Sequence, residues 1–299
     1  PHPARSGQIA GNLTARHDDG DAMNDTFNDH DDDTQAELNQ LICQALAAND
    51  LPLPNRDGLR TRLLSRATAS DRAEAGWLTV RARGGSWRTV KSGVRVKMLW
   101  NAPHSSSVLI ELAAGASLPV HRHASLEEGI VLSGGFELDG KQLGPGDYHM
   151  SHAGSRHGRI TSRQGVVAYL RGTSLGHTGA MLGELVGGLF PGAGEPPLTI
   201  SAADGIWEAL ADGVASKTLC CDGEMVSRFI RLQPGAGLPA QRSDGDEECM
   251  MIEGDAYFGD RLVCAGDFHL TRAGGEQAAL TSDNGALLFV RSRIVSGAR

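Results

Sequence analysis

The stretch that decides the fold reads Gly115-Ala-Ser-Leu-Pro-Val-His121-Arg-His123-Ala-Ser-Leu-Glu127, and residues 146–157 close the same region. His121 and His123 are one residue apart, so on a strand their side chains point to the same side of the sheet. Glu127 follows four residues later and His157 stands on a later strand, where all four side chains can converge. Three imidazoles and a carboxylate predict a site for one divalent first-row transition metal.

Length and composition predict a globular chain of about two domains. Of its 299 residues, 40% are hydrophobic and 21% are charged, which is ordinary for a soluble protein. The net charge of −8 argues against nonspecific binding to nucleic acid or anionic lipid. No apolar run approaches the roughly 20 residues that cross a bilayer, and no signal-peptide pattern is seen. The five cysteines contain no C-x-x-C pair, which suits a reducing compartment. We therefore expect a cytoplasmic protein without nucleic-acid or membrane partners.

The N-terminal region is predicted to contain a tail and two helices. Residues 1–33 hold few large apolar residues and an acidic run, so we expect a disordered tail, in which Met23 is a candidate natural start. Thr34-Gln-Ala-Glu37 is a capping box that opens a helix to about Asn49. A second helix is expected from about Arg56 to Glu74, with inward-facing Leu59, Leu63, Leu64 and Ala67. This helical segment, residues 34–76, is a candidate surface for a protein partner.

From Trp77 onward, short β-rich runs broken by turn residues predict a β-sandwich or jelly roll. The pattern then repeats at a constant offset of 120 residues, for example from Leu78 to Leu198 and from Gly154 to Gly274. A fixed offset over many turn and core positions indicates two copies of one domain. We predict a first domain at 77–175, a linker at 176–196 and a second domain at 197–295.

The duplication separates fold from function, because positions that both copies share are candidates for the fold. His149 recurs as His269, which indicates a structural role. The candidate ligands differ between the copies: His121, His123 and His157 become Gln241, Ser243 and Gln277, and Glu127 alone keeps its partner, Glu247. One carboxylate among Gln and Ser is not a transition-metal site, so we expect the second domain to have lost the metal.

At these residues the chain resembles the cupin superfamily. The first cupin motif, G-x5-H-x-H-x3-E-x6-G, is met by Gly115, His121, His123, Glu127 and Gly134. The second, G-x5-P-x-G-x2-H-x3-N, is met by Gly146, Gly154 and His157, with His152 in the proline place and Thr161 in the asparagine place. The resemblance implies an all-β fold of two tandem jelly-roll barrels (a bicupin with a degenerate second barrel) after a short α-helical N-terminal segment.

Within the cupins, the tract from His121 to Leu132 and the run Leu59-Arg-x-Arg-Leu63-Leu64 look most like ChrR-type anti-sigma factors. Those proteins hold a sigma factor through an N-terminal zinc domain with a His-x3-Cys-x2-Cys motif, whereas the N-terminal region here carries only Cys43. The resemblance covers about residues 56–295. It implies a sensor or regulator of transcriptional, anti-sigma-like signalling that lacks the zinc domain. It also implies that barrels pair through their sheets, within one chain or in a homodimer.

The ligand set leaves two chemistries open. Zinc prefers four ligands in a tetrahedron, which His121, His123, Glu127 and His157 would complete as a closed regulatory site. Iron, manganese or nickel prefers six positions, which would leave about two for a small molecule and dioxygen. The first barrel would then be a cupin dioxygenase acting on a small diketone- or flavonol-like substrate. Glu128 is expected to face away from Glu127, and no residue is assigned a catalytic role. The zinc-binding regulator is the first hypothesis and the dioxygenase is the alternative.

Overall fold

The computed structural model describes residues 40–41, 44, 56–74, 76–102, 105–173, 195–242 and 244–294. The predicted tail at 1–33, most of the helix predicted from Thr34, and nearly all of the predicted linker at 176–196 lie outside the described residues. Within the described ranges, no helix combines the length and the apolar character that crossing a bilayer requires.

The second of the two predicted helices is described, and two series of strands follow it. Helix α1 spans Arg56–Glu74. The first series is β1 (Trp77–Val80), β2 (Trp87–Lys91), β3 (Val94–Ala102), β4 (Ser105–Leu112), β5 (Ser117–Leu118), β6 (His121–Arg122), β7 (Glu127–Gly134), β8 (Phe136–Leu138), β9 (Lys141–Leu143), β10 (Tyr148–Ser151), β11 (Arg156–His157), β12 (Ile160–Thr161) and β13 (Val166–Thr173). The second is β14 (Leu198–Ile200), β15 (Glu208–Ala211), β16 (Val214–Asp222), β17 (Met225–Leu232), β18 (Gly237–Leu238), β19 (Gln241–Arg242), β20 (Glu247–Phe258), β21 (Arg261–Cys264), β22 (Phe268–Thr271), β23 (Glu276–Gln277), β24 (Leu280–Thr281) and β25 (Ala286–Arg293).

Two antiparallel sheets form the backbone of the two barrels. Their strand orders are β14-β10-β7-β13-β4-β3-β2 and β1-β22-β20-β25-β17-β16-β15. Shorter ladders close each barrel. In the first barrel they are β5-β12-β8-β9 and β6-β11. In the second barrel β21 and β24 pair with β20, β18 pairs with β24, and β19 pairs with β23. These jelly-roll barrels confirm the predicted all-β fold.

Alternation along the strands divides the apolar residues between two kinds of core. In β4, Val108, Ile110 and Leu112 face the interior of the first barrel. Leu109, between them, joins a separate cluster that also contains Phe229 of the second barrel. This is the period of two expected for a strand that is buried on both faces. The barrels therefore pack through a continuous apolar layer.

The first strand of each repeat belongs to the sheet of the other repeat. Strand β1 pairs with β22, which places Thr79 opposite His269. Strand β14 pairs with β10, which places Thr199 opposite His149. The sequence boundaries at 77 and 197 did not predict this exchange, because a repeat shows where a unit begins and not which sheet its strands join. The second repeat thus supplies part of the first barrel.

Helix α1 begins and ends where the sequence predicted, but the prediction that its leucines face inward is wrong. Leu59, Leu63 and Leu64 are 36%, 42% and 52% exposed, and Ala67 is exposed as well. A spacing pattern identifies residues that share a helix face, but it does not show whether another surface covers that face. The side chain of Arg66 forms a 2.7 Å salt bridge with Asp260 of the second barrel, and both side chains are largely exposed.

Candidate metal centre

Two short strands position the first two candidate ligands. Strand β6 pairs with β11, so His121 stands directly opposite His157 and Arg122 opposite Arg156. The pairing continues past β6, because the amide of His123 donates to the carbonyl of Ser155 at 3.0 Å. The backbone of both histidines is therefore fixed by main-chain hydrogen bonds to the neighbouring strand and turn.

His121, His123 and Glu127 form a cluster whose potential ligand atoms all lie within 4.8 Å of one another. The rings of His121 and His123 meet edge to face at 4.9 Å between centroids. Nδ1 of His123 lies 3.8 Å from Oε1 of Glu127. Zinc–nitrogen and zinc–oxygen bonds are about 2.0–2.2 Å long, so two donors on one tetrahedral ion are about 3.3–3.6 Å apart. The cluster therefore fits one ion after its ligand atoms close by up to about 1.5 Å.

The tautomer of His121 is set by a backbone carbonyl. Its Nδ1 lies 3.0 Å from the carbonyl oxygen of Pro119. Because a carbonyl can only accept, Nδ1 carries the proton and Nε2 carries the lone pair that a metal would use. A backbone carbonyl on the second ring nitrogen is the usual way in which proteins orient a ligating histidine.

His123 is 2% exposed, and this burial dominates its protonation. Desolvation, with a smaller contribution from the neighbouring His121, lowers the pKa of His123 to about 3. The ring is therefore neutral near pH 7, and a neutral imidazole is the form that binds metals. Glu127 supplies the negative charge, with 15% of its side chain exposed.

The prediction for His157 concerns a side chain outside the described part of the structure. The described backbone places the residue at the ladder position opposite His121, and directly opposed residues are the closest neighbours across a strand pair. His157 as the fourth ligand stays a prediction that is compatible with this register.

Glu127 and Glu128 serve opposite faces of β7, as expected for adjacent strand residues. Glu128 points into the layer between the barrels, where its carboxylate accepts a 2.7 Å hydrogen bond from the hydroxyl of Tyr148. It also forms a 3.0 Å salt bridge with Arg291 of the second barrel. The two carboxylates therefore face away from each other, as the sequence predicted, and do not form an acid–base pair.

A small cavity of about 40 Å³ lies in the first barrel beside Glu127. Most of its wall is apolar, and its other polar side chains are Asp147 and His149. The Asp147 carboxylate accepts the amides of Gly144 and Ala202, both at 2.8 Å. His149 is held by Thr199 of the exchanged strand, with 3.0 Å between Nδ1 and Oγ1.

The equivalent region of the second barrel has a different character. Strand β19 pairs with β23, which sets Gln241 opposite Gln277. Glu247, the counterpart of Glu127, is 8% exposed, and its burial raises the pKa of the carboxyl to about 7, against a smaller opposing effect of Arg228. His269 is 1% exposed, and its ring packs 4.4 Å from Phe258 and 5.4 Å from Trp77.

The contacts between His149 and Thr199 and between His269 and Thr79 support a structural role for both histidines. The position of His149 in the cavity wall was not predicted from the sequence, because a residue shared by both copies was assigned to the fold alone. The buried charges between the barrels, Glu128, Arg171, Glu248 and Arg291, were not predicted either. The sequence did contain a signal for these charges, because Glu128 recurs as Glu248 and Arg171 recurs as Arg291 at the repeat offset of 120 residues.

Comparison with known proteins agrees with the fold. The family described as ChrR cupin-like domain matches residues 76–175, and no curated protein sequence matches the chain. A candidate dioxygenase from Nostoc punctiforme superposes with a TM-score of 0.56 and 15% identity, covering 74% of this chain and 84% of the other. The formate complex of oxalate decarboxylase from Lactobacillus farciminis gives 0.52 and 14%, covering 73% and 86%. Protein Ylba from E. coli gives 0.54 and 12%, covering 75% and 93%.

At these sequence identities the solved structures show only the fold. The family match adds which type of domain residues 76–175 resemble. Residues 76–175 are thus similar to the ChrR cupin-like domain family, and about three quarters of the chain share the fold of these solved structures.

Proposed function

We propose that the first barrel binds one divalent transition metal, zinc in preference, and acts as a regulatory or sensing site of ChrR type. The observation that carries this proposal is the cluster of His121, His123 and Glu127, whose donors lie within 4.8 Å of one another. His157 would complete a tetrahedral set. Such a metal would fix the conformation of the segment that bears these residues, and its loss would release them.

The residues around the cluster support a structural or regulatory ion. The carbonyl of Pro119 orients His121, and burial keeps His123 neutral. Glu127 contributes one negative charge against the two of the ion. A site made of histidines and one carboxylate suits zinc but also accepts iron, manganese or nickel.

The cavity favours a regulator over a dioxygenase for large substrates. Its volume is about 40 Å³, whereas a single buried water needs about 10–15 Å³. Apolar side chains including Phe136, Leu138 and Leu143 occupy the rest of the barrel interior. A flavonol or a substituted diketone would require these side chains to move.

A dioxygenase is the second candidate, and the position of Glu127 in the cavity wall favours it. An octahedral ion held by Glu127 and the histidines would keep positions open on that side. In this case the metal would supply a Lewis acid that orients substrate and dioxygen. The protein residues would bind the metal and exclude water through the apolar wall.

Metal content tests the proposal directly. Protein purified without added metal is assayed for transition metals beside a variant carrying His121→Ala and His123→Ala. About one zinc per chain, lost in the variant, is the expected result. About one iron, manganese or nickel would support the second candidate, which oxygen uptake with diketones and flavonols would then test. Absence of any metal from wild-type protein, and from protein incubated with zinc, would contradict both candidates.

A protein partner is a further part of the proposal. Helix α1 exposes Leu59, Leu63 and Leu64, and apolar side chains at this spacing are typical of a helix that docks on another protein. We expect metal removal to change amide hydrogen exchange in α1 if the metal site controls this surface. Identical exchange with and without metal would exclude such control. A second copy of the chain is another candidate partner, and sedimentation velocity measures it.

A further inference from the structure

The two main sheets end in equivalent strands on the side away from the exchanged strands. Strand β2 ends the sheet of the first barrel, and β15 ends the sheet of the second. They occupy matching places in the repeat, since Trp87 at the start of β2 recurs as Trp207 just before β15. Within the described ranges neither strand has a further strand on its outer side. A strand at the edge of a sheet presents unpaired backbone groups with which another chain can pair.

The two edges carry opposite charge. Residues 81–97 contain no acidic residue, and their six basic residues are Arg81, Arg83, Arg88, Lys91, Arg95 and Lys97. The equivalent residues 201–217 contain one basic residue, Lys217, and their three acidic residues are Asp204, Glu208 and Asp212. The sign is reversed directly where Arg88 becomes Glu208, and both residues are exposed.

Part of this charge is neutralised or buried within the chain. Arg95 forms a 2.7 Å salt bridge with Glu111, and Lys97 is 0% exposed. The charges left exposed without a salt-bridge partner among the described side chains define two surfaces, a basic edge of β2 with Arg83 and Arg88 and an acidic edge of β15 with Glu208 and Asp212.

Backbone shape does not distinguish the two edges, because β2 and β15 each contain one irregularity in register at the equivalent place. The side chains therefore decide what each edge binds. Beside its negative charges, the acidic edge presents Ile206, which is 80% exposed, and Leu210, which is 46% exposed. The equivalent residues of the first barrel are Ser86 and Val90, and Val90 packs against the core of that barrel. A partner for the acidic edge thus needs basic groups with some apolar surface.

We propose that copies of this chain associate head to tail, with the basic edge of one copy beside the acidic edge of a second. Opposite charges across a strand pair stabilise it, whereas like charges destabilise it. The aliphatic stems of Arg83 and Arg88 can also cover Ile206 and Leu210 while their charged ends stay in water. The inference names surfaces for the second copy that the proposed function leaves open, and it requires no metal in the first barrel.

The distribution of charge selects this arrangement over a two-fold dimer. Charged side chains on an edge strand normally prevent association, because two copies of the same edge repel each other. Here that repulsion acts against pairing of two basic edges or of two acidic edges, and it becomes attraction when unlike edges meet. A contact between unlike surfaces leaves one edge free at each end, so the assembly grows with concentration unless it closes into a ring.

Sedimentation velocity of the full chain tests the inference. We expect the mean sedimentation coefficient of the wild type to rise with protein concentration at an ionic strength of about 0.1 M. The rise should be much smaller at about 1 M, because the Debye length falls from about 10 Å to about 3 Å. Arg88→Glu and Glu208→Arg should each weaken self-association by about tenfold or more.

An equimolar mixture of these two variants is the decisive sample. Arg88→Glu retains an intact acidic edge, and Glu208→Arg retains an intact basic edge, so these edges can meet in the mixture. The remaining edges of the two variants have exchanged signs and can pair as well. We therefore expect the mixture to associate like the wild type, although neither variant does so alone.

Matched charge reversals elsewhere on the surface are the controls. Arg163 and Glu224 have side chains that are 88% and 77% exposed, and Arg163→Glu and Glu224→Arg should associate like the wild type. A thermal melt verifies that each variant is folded, and Asp212→Lys provides a second change to the acidic edge.

A wild type that stays monomeric at all concentrations at about 0.1 M would overturn the inference, and so would a mixture that does not associate. Loss of association in Arg88→Glu but not in Glu208→Arg or Asp212→Lys would also overturn it, because the basic edge would then bind a different acidic surface. All these variants should keep the metal content of the wild type, so a protein that associates without binding metal would contradict the proposed function alone.

Discussion

Glu128 and Arg291 form a salt bridge of 3.0 Å between the two barrels, and the two residues are 1% and 3% exposed. Glu128 follows the candidate ligand Glu127 directly in β7, and Arg291 lies on β25. Arg291 also donates to Asp222 at 3.0 Å and to Ser227 at 3.1 Å. The interface between the barrels is thus an apolar layer with a hydrogen-bonded ionic group inside it.

Removing one partner of this salt bridge should be strongly destabilising. Arg291→Met leaves the Glu128 carboxylate buried without its closest cation, a change that typically costs about 3–5 kcal/mol. We expect a loss of this size in the free energy of unfolding, measured by urea denaturation. The loss reports a buried carboxylate left with only the more distant Arg171, at 3.7 Å, and not the net stabilisation by the pair.

Arg293→Met is the matched control. Arg293 lies two residues further along β25 and pairs with Glu224 at 3.4 Å, with side-chain exposures of 51% and 77%. Exposed pairs contribute about 0–1 kcal/mol, so this variant should be close to wild type. Similar losses for the two variants would contradict the assignment of the buried interface.

The exchange of first strands predicts an asymmetric response to two equivalent substitutions. Thr79→Val removes the hydroxyl 2.9 Å from Nδ1 of His269, a ring whose Nε2 is already buried without a hydrogen-bond partner in the described part of the chain. Thr199→Val removes the corresponding hydroxyl from His149, which adjoins the cavity. A buried polar group left unsatisfied costs about 1–3 kcal/mol.

We therefore expect Thr79→Val to lower the free energy of unfolding by about 1–3 kcal/mol and Thr199→Val by less. Water in the cavity can replace the lost hydroxyl for His149. Chemical denaturation of both variants measures the difference. A larger loss for Thr199→Val would show that the two histidines are not solvated as the structure indicates.

Much of this architecture was predictable because it depends on local patterns. The strands containing Val108–Leu112 and Val166–Leu170 were read from their composition, and the ligand positions from spacing along two strands. Cross-strand partners at long range were not predictable in the same way. Nothing local to Leu198–Ile200 indicates that this segment joins the first barrel, and the exposure of Leu63 depends on whether another surface is available to α1. The side-chain cluster at His121 could be predicted from the spacing of its residues, although only His121 lies on β6 and Glu127 begins β7 after a turn.

The buried Glu247 predicts a pH-dependent effect in the barrel without a metal site. Its folded-state pKa is raised from 4.5 to about 7 by burial. The folded state therefore binds the proton more tightly than the unfolded state does. The contribution of the Glu247 carboxyl to the free energy of unfolding is fully present below pH 4.5 and is lost as the pH rises through about 7. The shift corresponds to roughly 3 kcal/mol.

Glu247→Gln removes this titration while keeping the shape of the side chain. The difference in free energy of unfolding between the variant and wild type should shift in favour of the variant by up to about 3 kcal/mol from pH 4.5 to pH 8. Urea unfolding at both pH values measures this difference. Glu253→Gln, on the exposed part of the same strand, is the control and should show little difference. Comparing each variant with wild type at each pH cancels the other groups that titrate, including His269. A pH-independent difference for Glu247→Gln would contradict the burial of this carboxylate.

The role of His157 as the fourth ligand can be tested by comparing it with the equivalent residue of the second barrel. His157 lies opposite His121 in β11, and Gln277 lies opposite Gln241 at the equivalent place in β23. If His157 binds the metal, His157→Ala removes one of four donors and should weaken zinc affinity by more than about 100-fold, beyond the 10–100-fold of outer-shell changes. Competition with a chromophoric chelator measures this affinity. Gln277→Ala should leave it unchanged, and His157→Gln, which copies the second barrel, should behave like His157→Ala. Wild-type affinity in both His157 variants would restrict the centre to His121, His123 and Glu127, with an open position that suits the dioxygenase better than the closed regulatory site.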